Sequence, residues 1–191
     1  MGHPVRIEEP GRTYHVTARG NGGQVVYVHD ADRVDFLRLL ERTSERYAWR
    51  CLAYCLMTNH YHLAVEIPRG GLSRGMQALN GGYARLANRR HGRRDHLFKN
   101  RFFAAPVVSE GHLLDVLRYI VLNPVRAGLC RLPEEWPWSS YRACAGIELS
   151  ARVLSADDVL RLFGGSPQEA RARYRAFVDA AQPVSDTVTD V

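Results

Sequence analysis

The chain has 191 residues, 46% of them hydrophobic and 24% charged, with a formal net charge of +6 at pH 7. That size suits one globular domain with a sizeable core and a small appendage. It contains no run of about 18 or more apolar residues, the length a membrane span needs, so a transmembrane helix is excluded. Lys99 is the only lysine, which leaves arginine to carry nearly all of the positive charge. Arginine forks match phosphate oxygens bidentately and stack on bases, so the charge points to a nucleic-acid partner. The N-terminus lacks the apolar segment of a secretory leader, and a cytoplasmic location is expected. Cys51, Cys55, Cys130 and Cys144 form no C-x-x-C pair, and buried free thiols are expected rather than a zinc set.

In chain order, the alternating segment Arg12 to Arg19 predicts a first strand, and Gly20-Asn21-Gly22-Gly23 a loop to which no role is assigned. Val25 to Val28 reads as a short strand. Asp30 suits the cap of a helix from Ala31 to Tyr47, with Val34, Phe36, Leu37 and Leu40 as its apolar stripe. Trp49 to Met57 and Tyr61 to Ile67 predict two strands joined tightly through Thr58-Asn59. A helix from Ser73 to Arg90 follows, then a strand from Leu97 to Val108, then a helix from Gly111 to Leu122 that Asn123-Pro124 should terminate. Beyond Trp136-Pro137-Trp138 come short helices, including Ala156 to Leu162 and Pro167 to Ala181, and a frayed end from Pro183. This order of elements predicts an α+β sandwich on a mainly antiparallel sheet.

His60 and His62 are the first candidates for chemistry. Side chains two apart on a strand leave the same face, so both imidazoles can reach one metal ion while leaving coordination positions open. Two polar positions on the exposed face of a half-buried strand is the plainer alternative. In the helix after residue 110, Leu113, Leu114, Leu117, Ile120 and Val121 form one stripe, and Tyr119 points away from it. His112, Asp115 and Asn123 share its side, with Asn123 one turn on. A tyrosine beside a metal-polarised phosphate can act as a nucleophile, and the Asn123 carbonyl can complete a His, His, Asn ligand set. Tyr119 packing sideways on the sheet, and Asn123 as an ordinary stop before proline, are the structural alternatives.

Arg85, Arg89, Arg90, Arg93, Arg94, Lys99 and Arg101 crowd into one stretch with few acidic partners, which favours DNA over a merely solvated face. Arg19, at the end of the first strand, joins them as a candidate. Trp136, Trp138 and Tyr141 can stack on bases, but two tryptophans flanking a proline more often anchor a tail to the core.

With these residues in view, the chain resembles the HUH single-tyrosine transposases of the IS200-like type, and within them the REP-associated tyrosine transposases. Ala18-Arg19-Gly20-Asn21, Met57 to Leu63, Phe98 to Phe102, Arg118 to Leu129 and Trp138 to Arg142 carry the resemblance. It implies an HUH domain with a ferredoxin-like or RRM-like palm over residues 8–130, a helical extension over 131–182 and a disordered tail over 183–191. It further implies Tyr119 as the nucleophile that forms a 5′-phosphotyrosine and frees a 3′-OH, with His60, His62 and Asn123 holding Mg²⁺ or Mn²⁺. The implied partner is single-stranded or hairpin-forming repeat DNA, with a homodimer left open and no membrane. Two departures are mild: Thr58 stands where many relatives have proline, and the bulky Tyr61 between the histidines should face the other side of the strand. A histidine-triad hydrolase would need a third histidine where Ala64 sits. A replication initiator or relaxase would share the metal site, but the Asn123 to Gly128 segment favours the transposase branch. A domesticated DNA-binding repressor that has lost the reaction is the alternative outside enzymology.

Overall fold

Alternation along residues 13–19 builds the first strand: Tyr14, Val16 and Ala18 are buried on one side, while His15, Thr17 and Arg19 leave the other. The computed structural model describes residues 8–180. Within them β1 (Thr13–Arg19), β2 (Arg50–Leu56), β3 (His60–Glu66) and β4 (Phe103–Pro106) form one sheet in the order β2-β3-β1-β4. Every neighbouring pair is antiparallel. The expected α+β sandwich is therefore what the chain adopts.

Helices α1 (Asp30–Tyr47) and α2 (Leu72–His91) cover one face. On that side the Phe36 ring lies 4.8 Å from Tyr61 and 5.3 Å from Tyr83, and the Tyr61 hydroxyl donates to Asn80 Oδ1 at 2.6 Å. Tyr61 thus faces away from the histidines on either side of it. Close approach of α2 to the sheet edge needs Gly75, because a Cβ there would lie 2.2 Å from the Trp49 ring. Helix α3 (Glu110–Arg126) packs on the opposite face, against β2 and β3.

Four local expectations are corrected. Residues 25–28 form no strand; the Val26 and Tyr27 N–H groups both donate to the Thr58 carbonyl, strapping the segment across the β2–β3 turn. His29, not Asp30, is the N-cap of α1, and the Asp32 carboxylate reaches back to the N–H groups of Val28 and His29, each at 2.9 Å. Of residues 97–108 only Phe103–Pro106 are strand, with one isolated bridge from Phe98 to Gly20. Most unlike the sequence reading, α3 runs through Pro124 to Arg126. A proline so near the end removes one helical bond, and a Schellman closure compensates. The Leu129 N–H donates to the Pro124 carbonyl at 2.9 Å and the Gly128 N–H to Val125 at 3.0 Å. Gly128 supplies the left-handed residue this requires, at φ +67°.

The C-terminal part closes the β2 edge of the sheet. Backbone bonds from Leu56 to Trp138, Ser140 to Tyr54 and Ser155 to Cys51 occupy groups that would otherwise template another strand. Trp136 donates its indole N–H to the Leu56 carbonyl at 3.2 Å, and the Arg33 guanidinium lies within 5.5–5.8 Å of the rings of Tyr27, Trp136 and Trp138. Both tryptophans therefore anchor this segment rather than present free rings. Three short helices follow, α4 (Tyr141–Cys144), α5 (Ala156–Arg161) and α6 (Pro167–Asp179), and α6 braces α3 through Arg118, 4.5 Å from the Phe177 ring. The four cysteines are free thiols, three of them buried. No helix among the described residues is long and apolar enough to cross a membrane. The tail expected over 183–191, and the last residues of the expected extension, lie outside the described residues.

Candidate active site

The β1–β3 register decides which side chains meet. Thr17 lies opposite His62, Arg19 opposite His60 and His15 opposite Ala64, so five polar or charged side chains share the face under α3. His60 and His62 stand with ring centroids 5.0 Å apart. This is no exposed strand face: His62 is only 5% exposed. Tyr119 descends from α3 edge-on to the rings of His62, at 5.5 Å, and His15, at 5.7 Å. The Arg126 guanidinium sits 5.3 Å from the centre of the same Tyr119 ring.

Because α3 continues past Pro124, Asn123 remains helical, one turn beyond Tyr119. Its Nδ2 donates to the Tyr119 carbonyl at 3.2 Å. The face thus brings two imidazoles and a phenol together, with the Asn123 carboxamide one helical turn along α3 from Tyr119.

Two residues that the sequence reading passed over complete the group. His15 Nε2 lies 3.0 Å from His62 Nδ1, with the rings stacked at 5.2 Å and 21°. The alternation of β1 already put His15 on a face with Thr17 and Arg19, but which strand would lie beside it was not encoded locally. Asn59 is the second: its Oδ1 accepts from His60 Nδ1 at 2.8 Å while its Nδ2 donates to the Gly23 carbonyl at 3.2 Å. The glycine loop thereby gains a role, holding the residue that holds His60. Gly20 within it cannot carry a side chain, since a Cβ would meet the Gln24 carbonyl oxygen at 2.1 Å.

Burial, and then the charge of His112, lowers the His15 pKa to about 4. His62 is pushed well below the ordinary histidine value by burial first, then by His15 and His60. Both rings are therefore neutral at pH 7, the form whose nitrogen lone pair a cation requires. No three His, Cys, Asp or Glu side chains converge as a ligand set among the described residues. The His60 and His62 imidazoles, side by side on one sheet face, are a donor pair whose chemistry suits a divalent cation.

The basic candidates divide. Arg19, Arg85, Arg89, Arg94, Lys99 and Arg101 are exposed. Lys99 is tied to the site end of the sheet by its N–H bond to the Arg19 carbonyl at 2.9 Å. Arg85 and Arg89 lie on α2, across the sheet from Tyr119. Arg90 is occupied by Asp32, at 2.6 Å, and by Asp35, and Arg93 donates to the Val25 carbonyl at 2.9 Å.

The family model "Transposase IS200 like" matches residues 11–123, a span that includes His15, His60, His62, Tyr119 and Asn123. A Haemophilus influenzae protein named as a REP-associated tyrosine transposase is 24% identical over 144 residues, covering 70% of this chain and 77% of the relative. Among solved structures, a REP-associated tyrosine transposase bound to a REP hairpin superposes with a TM-score of 0.65 at 16% identity. That match covers 81% of this chain and 92% of the other. With the family model spanning more than half of its length, the chain belongs to the IS200-like transposase family.

Proposed function

We propose that the protein cuts and rejoins single-stranded DNA through a covalent link to Tyr119, at hairpin-forming repeat sequences. The observation that carries this reading is the placement of Tyr119 edge-on to His62, with Asn123 one helical turn away. In the forward step the Tyr119 Oη attacks phosphorus, the P–O3′ bond breaks, the phenolic proton leaves and the departing 3′-oxygen takes up a proton. The product is a 5′-phosphotyrosine and a free 3′-OH. Attack of a 3′-OH on that link reverses every bond change, so rejoining needs no outside energy source. His60, His62 and Asn123 would hold Mg²⁺ or Mn²⁺, which when bound polarises a phosphoryl oxygen. Packing of Tyr119 between the His15 and His62 rings and the Arg126 guanidinium limits its rotamers before DNA arrives.

Single-strand binding is supported by the open end of the sheet. Phe103 on β4 is the cross-strand partner of Thr17, itself the partner of His62, so the three side chains stand in one row. Phe103 is 44% exposed, and a flanking base can stack on it while Arg19, Lys99 and Arg101 follow the phosphates. Arg85 and Arg89 on α2, and Arg94 just past its end, extend the positive surface to where a hairpin stem can lie. Hairpin recognition is supported by the REP hairpin bound in the structural relative.

The test is incubation of the protein with end-labelled, hairpin-bearing single strands and Mn²⁺. A covalent protein–DNA adduct is expected, absent in Tyr119→Phe and in the presence of a chelator. Tight binding without any adduct would favour a repressor that keeps the fold but not the reaction. Cleavage surviving Tyr119→Phe would remove the nucleophile assignment.

A further inference from the structure

We infer that His15 is a positioning residue that fixes the tautomer and orientation of His62. The inference rests on the reading of His62 as a cation ligand and adds to it a partner from a different strand. His15 and His62 belong to the same sheet face but to adjacent rows of the β1–β3 register. In its own row His15 has Ala64 on one side and Ala105 on the other, with Ala53 beyond Ala64. Small neighbours leave its ring free to lie over toward the next row, where it stacks on His62. Both residues are almost wholly buried, at 6% and 5% exposure, so no water competes for the 3.0 Å contact between their nitrogens.

Two ring nitrogens at hydrogen-bond distance share one proton. A neutral imidazole has one N–H and one lone pair, so the direction of this bond sets what the far side of His62 offers. When His62 Nδ1–H donates and His15 Nε2 accepts, the lone pair of His62 lies on Nε2, the nitrogen not engaged with His15. In the reverse direction His62 would carry a proton on Nε2 and could not ligate. His60 is held in the same sense, its Nδ1 donating to the Asn59 carboxamide oxygen, which can only accept. His15 stands behind His62 rather than beside it as a third ligand, in keeping with the absence of a converging three-residue set among the described residues. With His15 as the acceptor, the residue does for His62 what Asn59 does for His60, from the strand next door.

The experiment uses the full chain in three forms: unmodified, His15→Phe and His15→Gln. Phe fills the volume without an acceptor, whereas Gln restores a carbonyl oxygen near the position of Nε2. Long-range ¹⁵N–¹H correlation spectra of the metal-free protein should show the His62 proton on Nδ1 in the unmodified and Gln forms, and a shift toward Nε2–H in the Phe form. Calorimetric titration with Mn²⁺ should show affinity falling about 10- to 100-fold in His15→Phe and recovering to within a few-fold in His15→Gln. Far-UV spectra and melting curves identify a variant that has lost its fold, and a misfolded Phe form leaves the tautomer of the unmodified protein as the deciding measurement. An Nε2–H tautomer in the unmodified protein would overturn the inference. So would equal Mn²⁺ affinity in all three forms, or equal losses in the Phe and Gln forms. If the unmodified protein bound no Mn²⁺, the cation reading would fail, and the tautomer measurement would then judge His15 independently.

Discussion

Asp32 is the buried charge whose removal should be most visible. It is fully buried and accepts hydrogen bonds from the N–H groups of Val28 and His29, from Arg90 and from His91 at 3.0–3.1 Å. Burial by itself would raise its pKa, but the His29 N–H and the Arg90 and His91 side chains outweigh that and hold it at about 2, against 3.8 for an unperturbed aspartate. The sign follows directly: the unfolded chain takes up the proton first, so the stabilisation is complete well above pH 3.8 and is lost as pH falls toward 2. Nearly two units at about 1.36 kcal/mol each give roughly 2 kcal/mol at pH 7 and about half of that at pH 3. Asp32→Asn keeps the volume and one acceptor oxygen, so it isolates the charge. Urea unfolding of both forms at pH 7 and pH 3 should therefore show a gap of roughly 2 kcal/mol that narrows in acid. A gap independent of pH, or one that widens in acid, would refute the reasoning. The same substitution also releases Arg90, so residual folded Asp32→Asn should bind DNA no more weakly than the unmodified protein.

Two further outcomes follow from the site. Because the folded pKa of His15, about 4, lies below the ordinary 6.5, only the unfolded chain protonates between these values. The metal-free protein should lose about 3 kcal/mol from this residue between pH 6.5 and pH 4, a loss absent in His15→Phe and read from melting curves across that range. Phe103→Ala should weaken single-strand binding by about tenfold, as expected for one lost base stack, with the melting temperature little changed; unaltered affinity by fluorescence anisotropy would exclude Phe103 from the DNA path.

Much of the site was legible because its members obey short periods. His60 and His62 at the two-residue strand spacing, and Tyr119 and Asn123 at the four-residue helical spacing, identify pairs without any tertiary knowledge. Composition likewise pointed to phosphate. Individual arginines were not legible in the same way: Arg90 and Arg93 sit in the basic run, yet one is neutralised by Asp32 and Asp35 from α1 and the other is spent on the Val25 carbonyl. Their partners are more than fifty residues away in sequence, and no local pattern announces them. Pro124 misled for a related reason. Proline disfavours helix in the residue before it, but the Schellman closure at Gly128 and burial of the proline ring carry α3 two residues past Pro124, to Arg126, and this keeps Asn123 in helical phase with Tyr119.

What the sequence by itself determined is the identity of each candidate pair and the alternation that puts each on one face of its own element. Only the tertiary structure decided that the pairs meet, because that depends on α3 crossing the face that α1 and α2 leave open. Only the strand order β2-β3-β1-β4 brought His15 beside His62. Periodicity is a property of neighbouring dihedrals and can be read residue by residue. Strand adjacency and helix placement are set by burial of the whole apolar surface at once, so the residue that steadies His62 came into view only with the assembled sheet.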